Sequence, residues 1–147
     1  MKKLFFAALI AVSVSASAFA QDVNQVDVKA VENFESSFGG ASNVEWISKE
    51  NFTKASFIQN EQKVEVFYNL DGDFIATTTQ IKMDKVPAFV KRTVAKNYSD
   101  YTVKEAFKFE ANDVTAYFLA VENEKENIVL QAKGGLFSVY SRTAKSQ

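Results

Sequence analysis

The chain has 147 residues, 17 basic and 18 acidic side chains, no cysteine and no histidine. Without His or Cys it lacks the usual proton shuttle near neutral pH, the thiol nucleophile and the common zinc ligands, which removes Ser-His and Cys-His hydrolases and ordinary zinc sites. The near-neutral charge also argues against a nucleic-acid partner, because phosphate binding takes a concentrated basic surface.

The N-terminus reads as a Sec-type signal peptide over residues 1–20. Lys2 and Lys3 form a positive start, Leu4–Val14 is apolar, and Ala18-Phe19-Ala20 is a small-x-small cleavage site before Gln21. The apolar run is shorter than the roughly 20 residues that a membrane-spanning helix takes. No cysteine follows the cleavage site, so lipid attachment there is excluded. These features predict a bacterial protein that is periplasmic or secreted, with no membrane span after cleavage. Residues 21–147 then make one domain, in which 15 basic residues face 18 acidic ones for a net charge of −3. No disulfide supports it, and the core must come from apolar packing, to which the 11 Phe outside the signal peptide, 5 Tyr and 1 Trp contribute.

After a polar leader, Gln21–Val26, Asp27 can cap a helix whose apolar positions Val31, Phe34 and Phe38 share one face. Gly39-Gly40 should end it in the left-handed conformation. Val44–Ile47 begins a strand, with Trp46 read as core. Phe52–Gln59, Lys63–Leu70 and Phe74–Ile81 follow as strands, joined by Asn60-Glu61-Gln62 and by Asp71-Gly72. The Asp-Gly pair is the strongest hairpin signal, read as a two-residue turn with positive φ at Gly72. Asp84 and Pro87 should open a second helix with Phe89, Val90, Val94 and Tyr98 inward and Lys91, Arg92 and Lys96 outward. Thr102–Phe109, Val114–Val121, Asn127–Lys133 and Leu136–Arg142 complete the strands, with a charged turn at Glu122–Glu126 and a tight one at Gly134-Gly135.

The second series repeats the first. Val66 aligns with Ile128 and Tyr68 with Leu130, while Phe57 aligns with Phe118 one position out of step. The expected fold class is α+β: a tandem repeat of helix plus four antiparallel strands, about 27–83 and 84–143. Together the copies would form an eight-stranded antiparallel sheet with two helices on one face.

Several stretches resemble one family. They are Phe38-Gly39, Asn43-Val44-Glu45-Trp46, Ala55-Ser56-Phe57, Val66-Phe67-Tyr68 and Asp71-Gly72, then Val86-Pro87 with Val90, Val94, Tyr98 and Tyr101-Thr102-Val103. This order and spacing is similar to the β-lactamase-inhibitor-like, PepSY-like proteins of Bacteroidetes, small exported domains with a duplicated helix–four-strand unit. The resemblance covers essentially all of residues 21–147. It implies protein binding through a sheet face and loops, with inhibition or regulation of an enzyme as the family theme, and no catalytic residues. The β-lactamase inhibitor itself carries disulfides, which this chain lacks.

The functional expectation is a non-enzymatic exported module that binds a periplasmic or secreted protein, as an inhibitor or regulator, without a cofactor. The alternative is a carrier of a small apolar ligand between sheet and helices. A carboxylate enzyme based on Asp71 and Asp73, or calcium binding there, is the weaker reading. A tight turn leaves both acids solvated, and no twelve-residue calcium loop follows. If Val64, Val66 and Tyr68 and also Val114, Ala116 and Phe118 face the helices, Phe67, Tyr117 and Leu119 fall on the other face. These three are the candidate partner-binding residues. Otherwise, curvature folds that face onto itself or onto the leader.

Overall fold

Tight turns and alternating strands fold this chain into a single meander. The computed structural model describes residues 26–146, so the signal-peptide reading and most of the leader lie outside the described residues. In chain order come α1 (Val28–Phe38), β1 (Ser42–Ser48), β2 (Thr53–Gln59), β3 (Gln62–Tyr68) and β4 (Phe74–Ile81). A 3₁₀ turn (Met83–Lys85) follows, then α2 (Ala88–Asn97), β5 (Thr102–Ala111), β6 (Val114–Glu122), β7 (Glu126–Lys133) and β8 (Leu136–Ala144). All eight strands lie in one antiparallel sheet in sequence order. Even β4 and β5, separated by α2, pair directly from Thr77↔Glu110 to Ile81↔Ala106.

The hairpins follow from residues that accept positive φ. Gln59 pairs with Gln62, so the β2–β3 turn is the two residues Asn60 (φ 51°) and Glu61 (φ 62°) rather than three. Gly134 (φ 57°) and Gly135 (φ 78°) make the same kind of turn between β7 and β8, where Lys133 pairs with Leu136. The Asp71-Gly72 turn has the expected positive φ at Gly72, 81°, but it is not a two-residue hairpin. Gly72 N donates to Asn69 O (3.0 Å) and Asn69 N to Asp73 O (2.9 Å). The Asn69 side-chain oxygen accepts from the amides of Asp71 (3.0 Å) and Asp73 (2.8 Å). That asparagine closes the longer loop Leu70–Gly72 by copying a backbone turn.

Asp27 caps α1 as expected, accepting from Lys29 N at 2.8 Å. The end of α1 differs from expectation: Gly39 stays right-handed at φ −59°. A Cβ there would stand 3.2 Å from Glu35 O, so space rather than handedness favours glycine. At α2 the N-cap is Pro87, without a side-chain cap, and Asp84 belongs to the preceding 3₁₀ turn. Val90 N (3.0 Å) and Lys91 N (3.2 Å) donate to Pro87 O, the first-turn bonds that proline leaves intact.

Among the described residues, packing divides into three clusters. Ala30 and Phe34 of α1 pack with Ala55, Phe57, Val64, Val66 and Tyr68 of β2 and β3, with Phe38 and Trp46 partly buried alongside. Phe34 is the hub: its ring centroid lies 5.1 Å from that of Phe57 and 5.3 Å from Trp46, both edge-on, the orientation aromatic pairs prefer. Val90 and Val94 of α2 pack with Val86, Ala106, Leu119, Val121, Ile128 and Leu130. The third cluster holds Phe52, Phe67, Ala76, Phe109, Ala116 and Phe118. Strand alternation puts it on the other side of β3 from Val66 and on the other side of β6 from Leu119.

This corrects the expected parity of β6. Ala116 and Phe118 were expected under a helix, yet they lie with Phe67 and Phe109, while Tyr117 and Leu119 belong to the α2 cluster. Pairing decides it: Leu119 sits opposite Leu130 and Val121 opposite Ile128. Aligning Phe57 with Phe118 therefore equated residues on opposite sides of the sheet, because a one-residue slip turns every side chain over.

Candidate interaction face

The side of the sheet away from α1 is built around β3, whose Glu65 and Phe67 point there. Across β2 and β4 the neighbours are Ser56 and Thr78 for Glu65, and Lys54 and Ala76 for Phe67. The same side continues through Thr78↔Phe109 and Gln80↔Phe107 onto β5, then through Phe107↔Phe118 and Phe109↔Ala116 onto β6. Edge-on ring contacts run along it, Phe52–Phe67 at 5.6 Å, Phe109–Phe118 at 6.2 Å and Phe118–Tyr140 at 5.2 Å. Among the described residues, none from α1 or α2 belongs to this cluster, whose Phe67, Phe109 and Phe118 are fully buried.

Within the aromatic surface lies a buried ion pair. Lys54 Nζ donates to Glu65 Oε1 at 2.9 Å, and the two side chains are only 3% and 5% exposed. Ser56 Oγ lies 3.5 Å and Lys63 Nζ 3.8 Å from the same oxygen. Glu65 Oε2 is buried without a hydrogen-bond partner among the described residues, and so is the Tyr140 hydroxyl. Burial holds the Tyr140 phenol above its ordinary pKa. An unsatisfied buried polar group costs about 1–3 kcal/mol, more when charged, so two on one side of a sheet call for an explanation.

The sequence-derived candidates are not brought together. Phe67 is in this cluster but fully buried, Leu119 is fully buried on the α2 side, and Tyr117 is half-buried beside it. What sequence reasoning missed is Lys54, Glu65, Phe109, Phe118 and Tyr140. The signal for the ion pair was the hairpin register. A two-residue turn at Asn60-Glu61 puts Ser56 opposite Glu65 and Lys54 diagonal to it, whereas a three-residue turn separates them.

Asp73 hydrogen-bonds the Lys29 ammonium at 2.5 Å, and that bond, then the one from Asn69, holds its carboxyl below the ordinary pKa. A catalytic acid needs the opposite shift. Two hollows of about 570 and 580 Å³ lie near the ends of β5–β8. The first is lined by charged residues such as Asp100, Glu122 and Lys145, the second by strand residues from Lys104 to Thr143, and the described lining of neither includes a helix residue. Among the described residues no group of three or more His, Cys, Asp or Glu side chains could hold a metal, and no helix is long and apolar enough to cross a membrane.

No family model and no curated protein matches the sequence. Solved structures do match the fold. A DUF2874 family protein of Bacteroides uniformis superposes with a TM-score of 0.72 at 15% identity, over 81% of this chain and 89% of that one. A candidate periplasmic protein of Bacteroides eggerthii gives 0.72 at 16% identity, over 81% and 88%. A BLIP-like protein of Bacteroides fragilis gives 0.67 at 15% identity, over 81% and 86%. The architecture is thus that of the β-lactamase-inhibitor-like Bacteroides proteins which the sequence resembles.

Proposed function

We propose that this chain is an exported, non-enzymatic protein-binding module, an inhibitor or regulator of a periplasmic enzyme, which meets its partner at the margin of the aromatic side, where Phe107, Val114 and Val129 are partly exposed around the buried Phe67, Phe109 and Phe118. The observation that carries the proposal is that face itself. It is aromatic, its cluster holds no residue of α1 or α2 among the described residues, and it buries an ion pair with one carboxylate oxygen left without a hydrogen-bond partner among them. A face meant only as core would do better with apolar residues in place of the pair. The fold shared with a BLIP-like protein and with a candidate periplasmic protein supports the reading, and the absence of His and Cys supports a non-catalytic role.

The same proposal includes a signal peptide over residues 1–20, a PepSY-like domain over 21–147, and descent of 27–83 and 84–143 from one duplicated unit. It also places both helices on one face. The register supports that placement, running from Val64 in the α1 cluster through Thr79, Lys108 and Tyr117 to Ala132 in the α2 cluster.

The test is capture from exported proteins of the native host, followed by re-binding of the purified partner to Phe107→Ser. Phe107 is half-buried in the aromatic cluster. The variant should keep its thermal midpoint within a few degrees and lose about tenfold or more in affinity, as for a buried aromatic anchor. Unchanged affinity with this variant would remove the face from the proposal.

A further inference from the structure

We infer that β8 pairs with the β8 of a second copy, antiparallel about a two-fold axis through Ser138, so that two sheets join edge to edge. β1 and β8 are the two ends of the sheet, each with a strand on one side only. A free strand edge carries a row of unpaired N–H and C=O groups, and it needs either a partner or a device that blocks pairing. β1 has such devices. Its register shifts between Ser42 and Glu45, Asn43 is left-handed at φ 54°, and Glu45 puts a charge in the part that stays regular. On β8 the register shift comes only at Tyr140, so Leu136–Val139 is a regular edge, and Leu136–Ser141 includes no charge and no proline. Leu136 is 77% exposed and Val139 41%. Among the described residues, Leu136–Tyr140 make no hydrogen bond beyond the ladder to β7.

The order of side chains along this edge selects a second copy. Phe137 packs against the α2 cluster and Val139 stands opposite Leu130 of that cluster, so both lie on the α2 side. Tyr140 belongs to the aromatic cluster on the other side, which Leu136 and Ser138 share by alternation. Residues directly opposite in an antiparallel pair face the same way. A two-fold axis normal to the sheet must therefore pass through a residue and not between two. With the axis at Ser138, Phe137 meets Val139 of the second copy on one side of the sheet, and Leu136 meets Tyr140 on the other. Every apolar side chain of the edge then has an apolar neighbour. Arg142, the one charge of β8, falls opposite Gly134, so no like charges oppose each other. An axis at Phe137 would set Leu136 against Ser138, and one at Val139 would set it against Arg142. The pairing also closes, because an isologous contact uses both β8 edges, whereas β8 on β1 would continue as an open fibre.

Five residue pairs are a small interface, so the association is weak and is sought over a wide range of concentration. The test is sedimentation equilibrium of the exported protein from about 1 µM to 1 mM, with charge variants at the axis. The wild type should rise from the monomer mass toward twice that mass. Ser138 is exposed, so Ser138→Glu and Ser138→Lys should each keep the thermal midpoint. Each sets like charges directly opposite each other and should weaken the dimer about tenfold or more. An equal mixture of the two should restore it as a heterodimer, which a variant that had merely misfolded could not do. The chain has no cysteine, so a short bis-maleimide reports single thiols without background. Ser138→Cys should give a cross-linked dimer, and Val44→Cys on the β1 edge none. A monomer mass at every concentration would overturn the inference. So would a dimer that neither charge variant weakens, a mixture that stays monomeric, or cross-linking through position 44 in place of 138.

Discussion

The two sides of the sheet are built from the same kinds of residue and differ in how their polar groups are served. Under α1, Ala30 and Phe34 close over Phe57, Val64, Val66 and Tyr68. Its polar groups include Thr53, opposite Tyr68 on β2, and the Tyr68 phenol, whose pKa burial pushes up to about 12, so that it stays neutral. The other side is as aromatic, but it buries a lysine, a glutamate and a tyrosine hydroxyl with two polar atoms left over. A sheet side finished by its own helix can be wholly apolar. On the proposed reading, this side retains donors and acceptors against the desolvation cost.

Substitutions can break or sharpen this contrast. The largest expected effect is on the ion pair. Lys54→Met alone leaves the Glu65 charge buried and unpaired, and should lower unfolding free energy by about 3–5 kcal/mol in urea denaturation. The Lys54→Met/Glu65→Leu double variant should return to within about 1 kcal/mol of wild type or exceed it. On the helix side Phe34→Ala should cost about 3–5 kcal/mol with no second substitution that rescues it, because the loss is of packing alone. If the double variant is as unstable as the single one, the pair is structural and the contrast fails.

A smaller effect separates the two glycine turns. A Cβ on Gly72 would lie 2.7 Å from Ala30 N and 2.8 Å from Lys29 Cβ, since this turn is pressed against the start of α1, where Asn33 also donates to Gly72 O at 2.8 Å. Gly134 has nothing within 4 Å of the same position. Gly134→Ala should cost only the positive-φ penalty, about 1 kcal/mol, and Gly72→Ala roughly twice that or more. Equal chemical-denaturation midpoints would mean that the turn is not part of the α1 packing.

The smallest expected effect is electrostatic. Asp73 is exposed and held below its ordinary pKa by Lys29, then by Asn69. A depressed carboxylate contributes stability above its unfolded pKa, near 3.9, and loses it as pH falls through the folded value. The midpoint difference between wild type and Asp73→Asn should therefore be present at neutral pH and vanish on acidification below the folded pKa. A difference that is constant with pH would show that the substitution acts through the turn and not the charge.

The strands were legible from alternation and turn residues, and Asp27, Phe34, Val90 and Val94 fell where their spacing put them. The face of β6 was not. Ala116, Tyr117, Phe118, Leu119, Ala120 and Val121 are apolar at both parities, so only pairing with Ile128 and Leu130 assigns a side. The Lys54–Glu65 pair stayed hidden for a related reason. It depends on a hairpin register, and Asn60-Glu61 and Asn60-Glu61-Gln62 are both plausible turns in sequence. Asp84 read as a cap because its chemistry suits one, while the backbone placed Pro87 there.

The central claim is that the aromatic side opposite α1 is the docking surface. Photo-cross-linking in the periplasm tests it most directly, with benzoylphenylalanine replacing Phe107 on that side or Arg92, exposed on α2. The account predicts one discrete adduct from position 107 and none from position 92. An adduct from position 92 with none from position 107 would contradict it and move the interface to the helices.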